Sequence, residues 1–280
     1  MPVKLADNSY GKQAIRLVTV RRHADRHELK DVTVAIRFEG DFTAAYTDGD
    51  NGGVFPTDTM KNTVYALAAE HPFDDIEDFG LALTDHFLTS SPRASSVRVD
   101  LTEHLWEPIQ AGGTVHPSAF RQAGSERRIA EVTRDGQGAR VLAGLEDLVV
   151  MKTAQSAFEG YPRDRYTTLK ETSDRILATA VRATWHYSRP YVAFGHLWRE
   201  VRRVLLETFA EHDSRSVQHT LYAMGEAVLE TLDVEEIHLA MPNRHHIPVD
   251  LTSFGMDNRN EIFVATPEPY GLIEGTVRRG

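Results

Sequence analysis

Apolar residues recur along this chain at two periods, and the switch from one to the other predicts its elements. Residues 15–21 alternate as a strand does, 23–31 form a polar turn, and Val32, Val34, Ile36 and Phe38 alternate again, with 42–46 as their continuation. The period then lengthens. Met60, Val64 and Leu67 share one face of a helix over 57–70, which Pro72 stops. Ile76, Phe79, Leu83 and Phe87 mark a second helix, running from Asp74 to before Pro92. Val97, Val99, Leu101 and Leu105 return to strand period, 111–113 breaks the chain, and 120–132 is another strand.

The second half repeats this order. Strands are predicted over 141–152 and 174–187, the latter ended by Pro190. Leu197, Val201, Val204 and Thr208, then Val217, Leu221, Met224 and Val228, give two amphipathic helices. Strands over 237–242, 261–265 and 272–277 close the chain. Two strands, two helices and closing strands, a ββααββ-like order, thus occur twice, dividing at Asp-Gly-Gln-Gly (135–138) into units 1–136 and 137–280. The fold class is α+β, with antiparallel sheets carrying helices on one face. Free sheet edges invite pairing with another copy, and closure of several copies into a barrel removes them, so a homo-oligomer is expected.

Composition removes several kinds of chemistry. A chain of 280 residues with a formal charge of −10 is a poor match for nucleic acid or an anionic membrane. It has no cysteine, which excludes disulfides, thiol nucleophiles and cysteine-bound zinc. The N-terminus has no apolar signal core and the C-terminus no Ser-Lys-Leu address, so a cytoplasmic location is expected. Metal is not expected either. His23 and His27 lie between strand patterns with no third ligand nearby, and adjacent His245 and His246 point to opposite faces of an extended chain.

The stretch 48–62, Asp-Gly-Asp-Asn-Gly-Gly-Val-Phe-Pro-Thr-Asp-Thr-Met-Lys-Asn, begins as a turn and ends as a helix start. Thr57 is expected to cap the helix with its hydroxyl, and Asp58 suits its positive end. Free N–H groups there suit a planar anion. With Thr-Asp-Thr-x-Lys-Asn-Thr-Val-Tyr (57–65), the stretch resembles the N-terminal signature of urate oxidase (uricase). Further motifs resemble the same family: Tyr10-Gly-Lys12, the long run 156–177 with Arg-Asp-x-Tyr-Thr-Thr-Leu and Thr-x-Asp-Arg-Ile-Leu, Ser-Val-Gln-His-Thr-Leu-Tyr-x-Met (216–224), Leu-Ala-Met-Pro-Asn-Arg-His-His (239–246) and Gly-Leu-Ile-x-x-Thr-Val (271–277). They follow one another in order over nearly the whole chain. Departures occur at Pro56, where the family usually has Ala, and at Glu159, Tyr161 and Pro162.

The resemblance implies oxidation of urate by O2 and water to 5-hydroxyisourate and H2O2, without metal or organic cofactor. It implies the tunnelling fold and a homotetramer with sites between subunits. In that pattern Phe158 stacks under the substrate, Leu169 meets its edge, Arg175 grips it, Gln218 matches a ring N–H and carbonyl, and Val217 and Asp58 add main-chain contacts. Lys12 and Thr57 form a proton relay that His245 extends, and Asn243 and Thr57 hold O2 and then water. Arg175 would also help to make Lys12 a base. Read without the family, Phe158 is a core residue, Arg175 a partner of Glu171 or Asp174, and Lys12 a surface lysine. The alternative functions are a non-catalytic purine-binding protein and another tunnelling-fold enzyme of purines or pterins.

Overall fold

A computed structural model of the chain describes residues 3–189, 191–266 and 268–280, so the strand stop expected at Pro190 lies outside the described residues. The chain forms two compact units, Met1–Gly144 with Arg189–His196, and Leu145–Ser188 with Leu197–Gly280.

In the first unit β1 (Ser9–Arg22), β2 (His27–Gly40), β3 (Ala94–Ala111) and β4 (Thr114–Asp135) pair antiparallel in chain order. Between β2 and β3 the chain forms α1 (Thr43–Thr47), α2 (Thr57–Glu70) and α3 (Ile76–Ser90). Val32, Val34, Ile36 and Phe38 of β2 and Val97, Val99 and Leu101 of β3 are buried, as their alternation predicts. They meet the apolar faces of α2, which lies on β1, and of α3, which lies on β3 and β4. Burial of each such side chain stabilises the unit by about 1.5–3 kcal/mol.

Three local expectations are corrected. Residues 43–47 are helical, because only Phe42 is buried there and Ala44 accepts the N–H of Asp48. The polar turn is confined to 23–26, where the His23 N–H bonds the Arg26 carbonyl at 2.9 Å. β4 begins at Thr114 rather than near 120, because its paired arm is exposed and needs no apolar alternation.

β5 (Gly138–Lys152) contributes residues to both units. The second unit continues with β6 (Leu177–Tyr187), α4 (Phe194–Glu211), α5 (Val217–Thr231), β7 (Val234–Pro242), β8 (His245–Pro248), β9 (Phe263–Thr266) and β10 (Leu272–Arg278). β6, β7 and β10 pair antiparallel, while β9, expected over 261–265, pairs with β8, which the sequence pattern did not reveal, in a separate two-stranded sheet. α5 covers β7 and β10, and Met224, Val228, Ile237 and Leu239 fill the space between. β6 starts at Leu177, not at 174, because the run before it is irregular and binds its backbone groups elsewhere. No helix among the described residues is long and apolar enough to cross a membrane.

Candidate functional site

Lys12 sits on β1 opposite Ile36, immediately before a bulge in which β1 carries one residue more than β2, with Ala14 at φ 57°. The neighbours in Tyr10-Gly-Lys12 have clear physical jobs. A Cβ at Gly11 would lie 1.8 Å from the Ile36 carbonyl oxygen, so no other residue fits. The Tyr10 phenol accepts the Phe55 N–H at 2.7 Å, its ring meets Phe38 and Phe42 edge-on, and burial pushes its pKa up. Tyr10 therefore fixes the end of the loop that leads into α2. That loop is shaped by Asp50, whose carboxylate accepts the Gly52 N–H at 2.9 Å.

At the start of α2 the expectation for Thr57 is corrected. Pro56 is the N-cap, with φ −59° and ψ 133°, and its carbonyl accepts the Met60 N–H; no side chain caps the helix. Proline already prefers that φ, so the Pro56 departure fits the local backbone. Thr57 is the first helical residue, and its hydroxyl makes no hydrogen bond with the described residues. Asp58 accepts from Lys61 at 2.5 Å and Asn62 at 3.0 Å. Its pKa is held below the usual carboxylate range chiefly by Lys61, with a smaller pull from the charge of Lys12. Thr57 and Asp58 thus open α2, which packs on the β1 strand that carries Lys12.

The second unit assembles the rest around 156–176. Phe158 exchanges backbone hydrogen bonds with Thr172 at 2.8 and 3.2 Å, and the Arg175 N–H donates to the Ser156 carbonyl at 2.8 Å. This sets the Arg175 guanidinium 5.1 Å from the Phe158 ring centre. The carboxylates that might have neutralised Arg175 are used elsewhere: Glu171 accepts the Gly160 N–H and Asp174 the Ser156 N–H. Arg175 has no carboxylate partner among the described residues, its Nε is buried without a hydrogen bond, and burial draws its pKa down. Leu169 stands 52% exposed in the same loop.

Ser214 joins this loop to α5. It is fully buried; its N–H donates to the Gln155 carbonyl at 3.0 Å and its carbonyl accepts the Ala157 N–H at 2.7 Å. Its hydroxyl donates to the Ser216 carbonyl at 3.1 Å and accepts from Thr220 at 2.7 Å. Ser216 then caps α5 by accepting the His219 N–H, which leaves buried Val217 and exposed Gln218 in the first turn. Sequence reasoning missed Ser214 and Thr220, since a buried serine acting through its backbone leaves no pattern. Asn243 follows β7, donating its N–H to the Gly271 carbonyl at 2.8 Å, and His245 opens β8. The Gln218 and Asn243 side chains and the His245 ring make no hydrogen bond with the described residues. No group of three or more His, Asp or Glu among the described residues is arranged to hold a metal ion.

Comparison with known proteins places the chain in a family. The sequence model described as Uricase matches residues 8–133 and 141–274. A uricase of Arthrobacter globiformis is 45% identical over 278 residues, 99% of this chain and 90% of that protein, and one of Dictyostelium discoideum is 36% identical over 98% and 97%. The crystal structure of the Arthrobacter globiformis uricase superposes with a TM-score of 0.94 over 100% of this chain and 96% of that one. A uricase structure from Bacillus fastidious, at 24% identity and a TM-score of 0.84 over 97% of this chain and 93% of that one, shares the fold.

Proposed function

This chain belongs to the uricase family, and on that premise we propose how its residues divide the oxidation of urate. Urate gives up two electrons, O2 takes them up with two protons as H2O2, and water supplies the hydroxyl of 5-hydroxyisourate. The protein must therefore hold a flat anion, remove a proton from it, and keep O2 and water over the ring.

The observation that carries the binding assignment is Arg175: a half-buried guanidinium beside an aromatic face with no carboxylate partner among the described residues. A planar donor pair and a π-face suit a planar purine anion. Phe158 stacks with urate, Leu169 meets its edge, the Val217 N–H faces one of its acceptors, and Gln218 supplies a donor and an acceptor side by side. The Asp58 main chain completes the contact at the start of α2.

Turnover belongs to Thr57 and Lys12. The Thr57 hydroxyl, released from capping, passes a proton between urate and Lys12, and His245 extends the relay. Asn243, with Thr57, holds O2 and then water. The reaction needs no metal or organic cofactor, because the electron-rich urate dianion reduces O2 itself. The repeat units 1–136 and 137–280 are those of the tunnelling fold, and copies pair into a barrel. The working form is a homotetramer in which Lys12, Thr57 and Asp58 of one subunit meet the Phe158, Arg175 and Gln218 cradle of another. A cytoplasmic location is part of the same proposal.

The test is direct. Metal-free protein is mixed with urate in air-saturated buffer, following loss of the urate ultraviolet band and formation of peroxide. Equal loss and formation is the expected result. Tight binding of urate without turnover would instead leave a purine-binding protein and remove the relay.

A further inference from the structure

Tyr161 lies where the chain departs from the family pattern, and none of the assignments above uses it. Its ring stacks on Phe158 with centroids 4.9 Å apart and planes 14° from parallel. Its hydroxyl donates to the Leu169 carbonyl at 2.8 Å. The Arg163 guanidinium donates to the same carbonyl at 3.3 Å and lies 5.9 Å from the Tyr161 ring centre. One side chain therefore touches both Phe158 and Leu169.

Leu169 needs such an anchor. Its side chain is 52% exposed, so core packing does not fix it, whereas its carbonyl takes both hydrogen bonds. Phe158 is held by its backbone pairing with Thr172, but that pairing leaves the tilt of its ring to whatever lies against it. A second aromatic ring in near-parallel contact sets that tilt. We propose that Tyr161 is a positioning residue for substrate binding, which backs the stacking face of Phe158 and ties it to the edge contact of Leu169. This rests on the assignment of Phe158 and Leu169 to the urate cradle. Both contacts of Tyr161 are to residues assigned to the cradle, so its effect falls on affinity and not on the chemical step.

The experiment compares wild type, Tyr161→Phe and Tyr161→Leu by steady-state kinetics and by calorimetric titration with a non-oxidisable purine anion. Tyr161→Phe keeps the stack and loses the anchor; KM and the dissociation constant are expected to rise about three- to ten-fold, with kcat within two-fold. Tyr161→Leu loses both contacts and is expected to raise them further, again with kcat preserved. Unchanged KM in both variants, with a lowered melting temperature, would make Tyr161 merely structural and overturn the inference. Tighter binding in Tyr161→Leu would overturn it too, because the ring would then be covering the substrate's place. Wild type that neither binds the anion nor oxidises urate fails the underlying assignment, an outcome distinct from variants that match a working wild type.

Discussion

Arg128 of the first unit and Arg175 of the second are both withdrawn from water, and they are treated oppositely. The Arg128 side chain is 5% exposed and meets Asp75 at 3.0 Å, Glu77 at 2.5 Å and Glu103 at 3.9 Å. Arg175 has an aromatic ring beside it and no carboxylate among the described residues. A buried charge without a partner is costly, so a chain that retains one gains something other than stability from it. Arg128 belongs to the fold, and Arg175 is left for the anion that we propose it binds.

The largest effect that separates the two is expected from Arg128→Met, which strands buried carboxylates and should cost about 3–5 kcal/mol in denaturant unfolding. Next is the pH dependence that the same cluster builds in. Burial pushes Glu77 up to about 7 against the pull of Arg128, and its Oε1 finds no hydrogen bond. A carboxyl raised above its unfolded value contributes stability that is complete below about pH 4.5 and lost as pH rises through about 7. The loss is on the order of 3 kcal/mol. Glu77→Gln should flatten that slope, and melts at pH 5 and pH 8 with an unchanged slope would refute the assignment.

Arg175→Ala should raise KM for urate on the order of 100-fold while unfolding stability holds or improves. A loss of stability like that of Arg128→Met would erase the distinction. Thr57→Ala sharpens it from the other side: kcat should fall about 100-fold with KM within a few-fold. Mixed oligomers of Thr57→Ala and Arg175→Ala should recover activity that neither parent has, if the two half-sites come from different subunits. No recovery after subunit exchange would place both on one chain.

Regular elements were legible where one face is buried. The alternation of Val32 to Phe38 and the spacing of Met60, Val64 and Leu67 follow from burial, and Pro72 stops α2 as its chemistry requires. What escaped was set by backbone groups. Thr57 reads as a cap by residue type, yet Pro56 holds that position. The strand read from 174 starts at Leu177, because Arg175 donates its N–H to Ser156. β8 is four residues long and partly exposed, so nothing apolar announced it, whereas β9 falls within the strand read over 261–265. Within the candidate site, the motifs brought out Arg175 and Phe158, whereas only coordinates revealed that Glu171 and Asp174 leave Arg175 without a counter-charge.

The bulge after Lys12 changes how β1 spells its two faces. Tyr10, Lys12, Ile15 and Leu17 oppose Phe38, Ile36, Val34 and Val32, so all four point to the side that the helices cover. Even numbers face inward before the bulge and odd numbers after it. A parity count run backwards from Ile15 would send Lys12 to the wrong side and put Gln13 in its place. The single surplus residue acts as a frame correction, letting one strand write its core in one phase and Lys12 in the other.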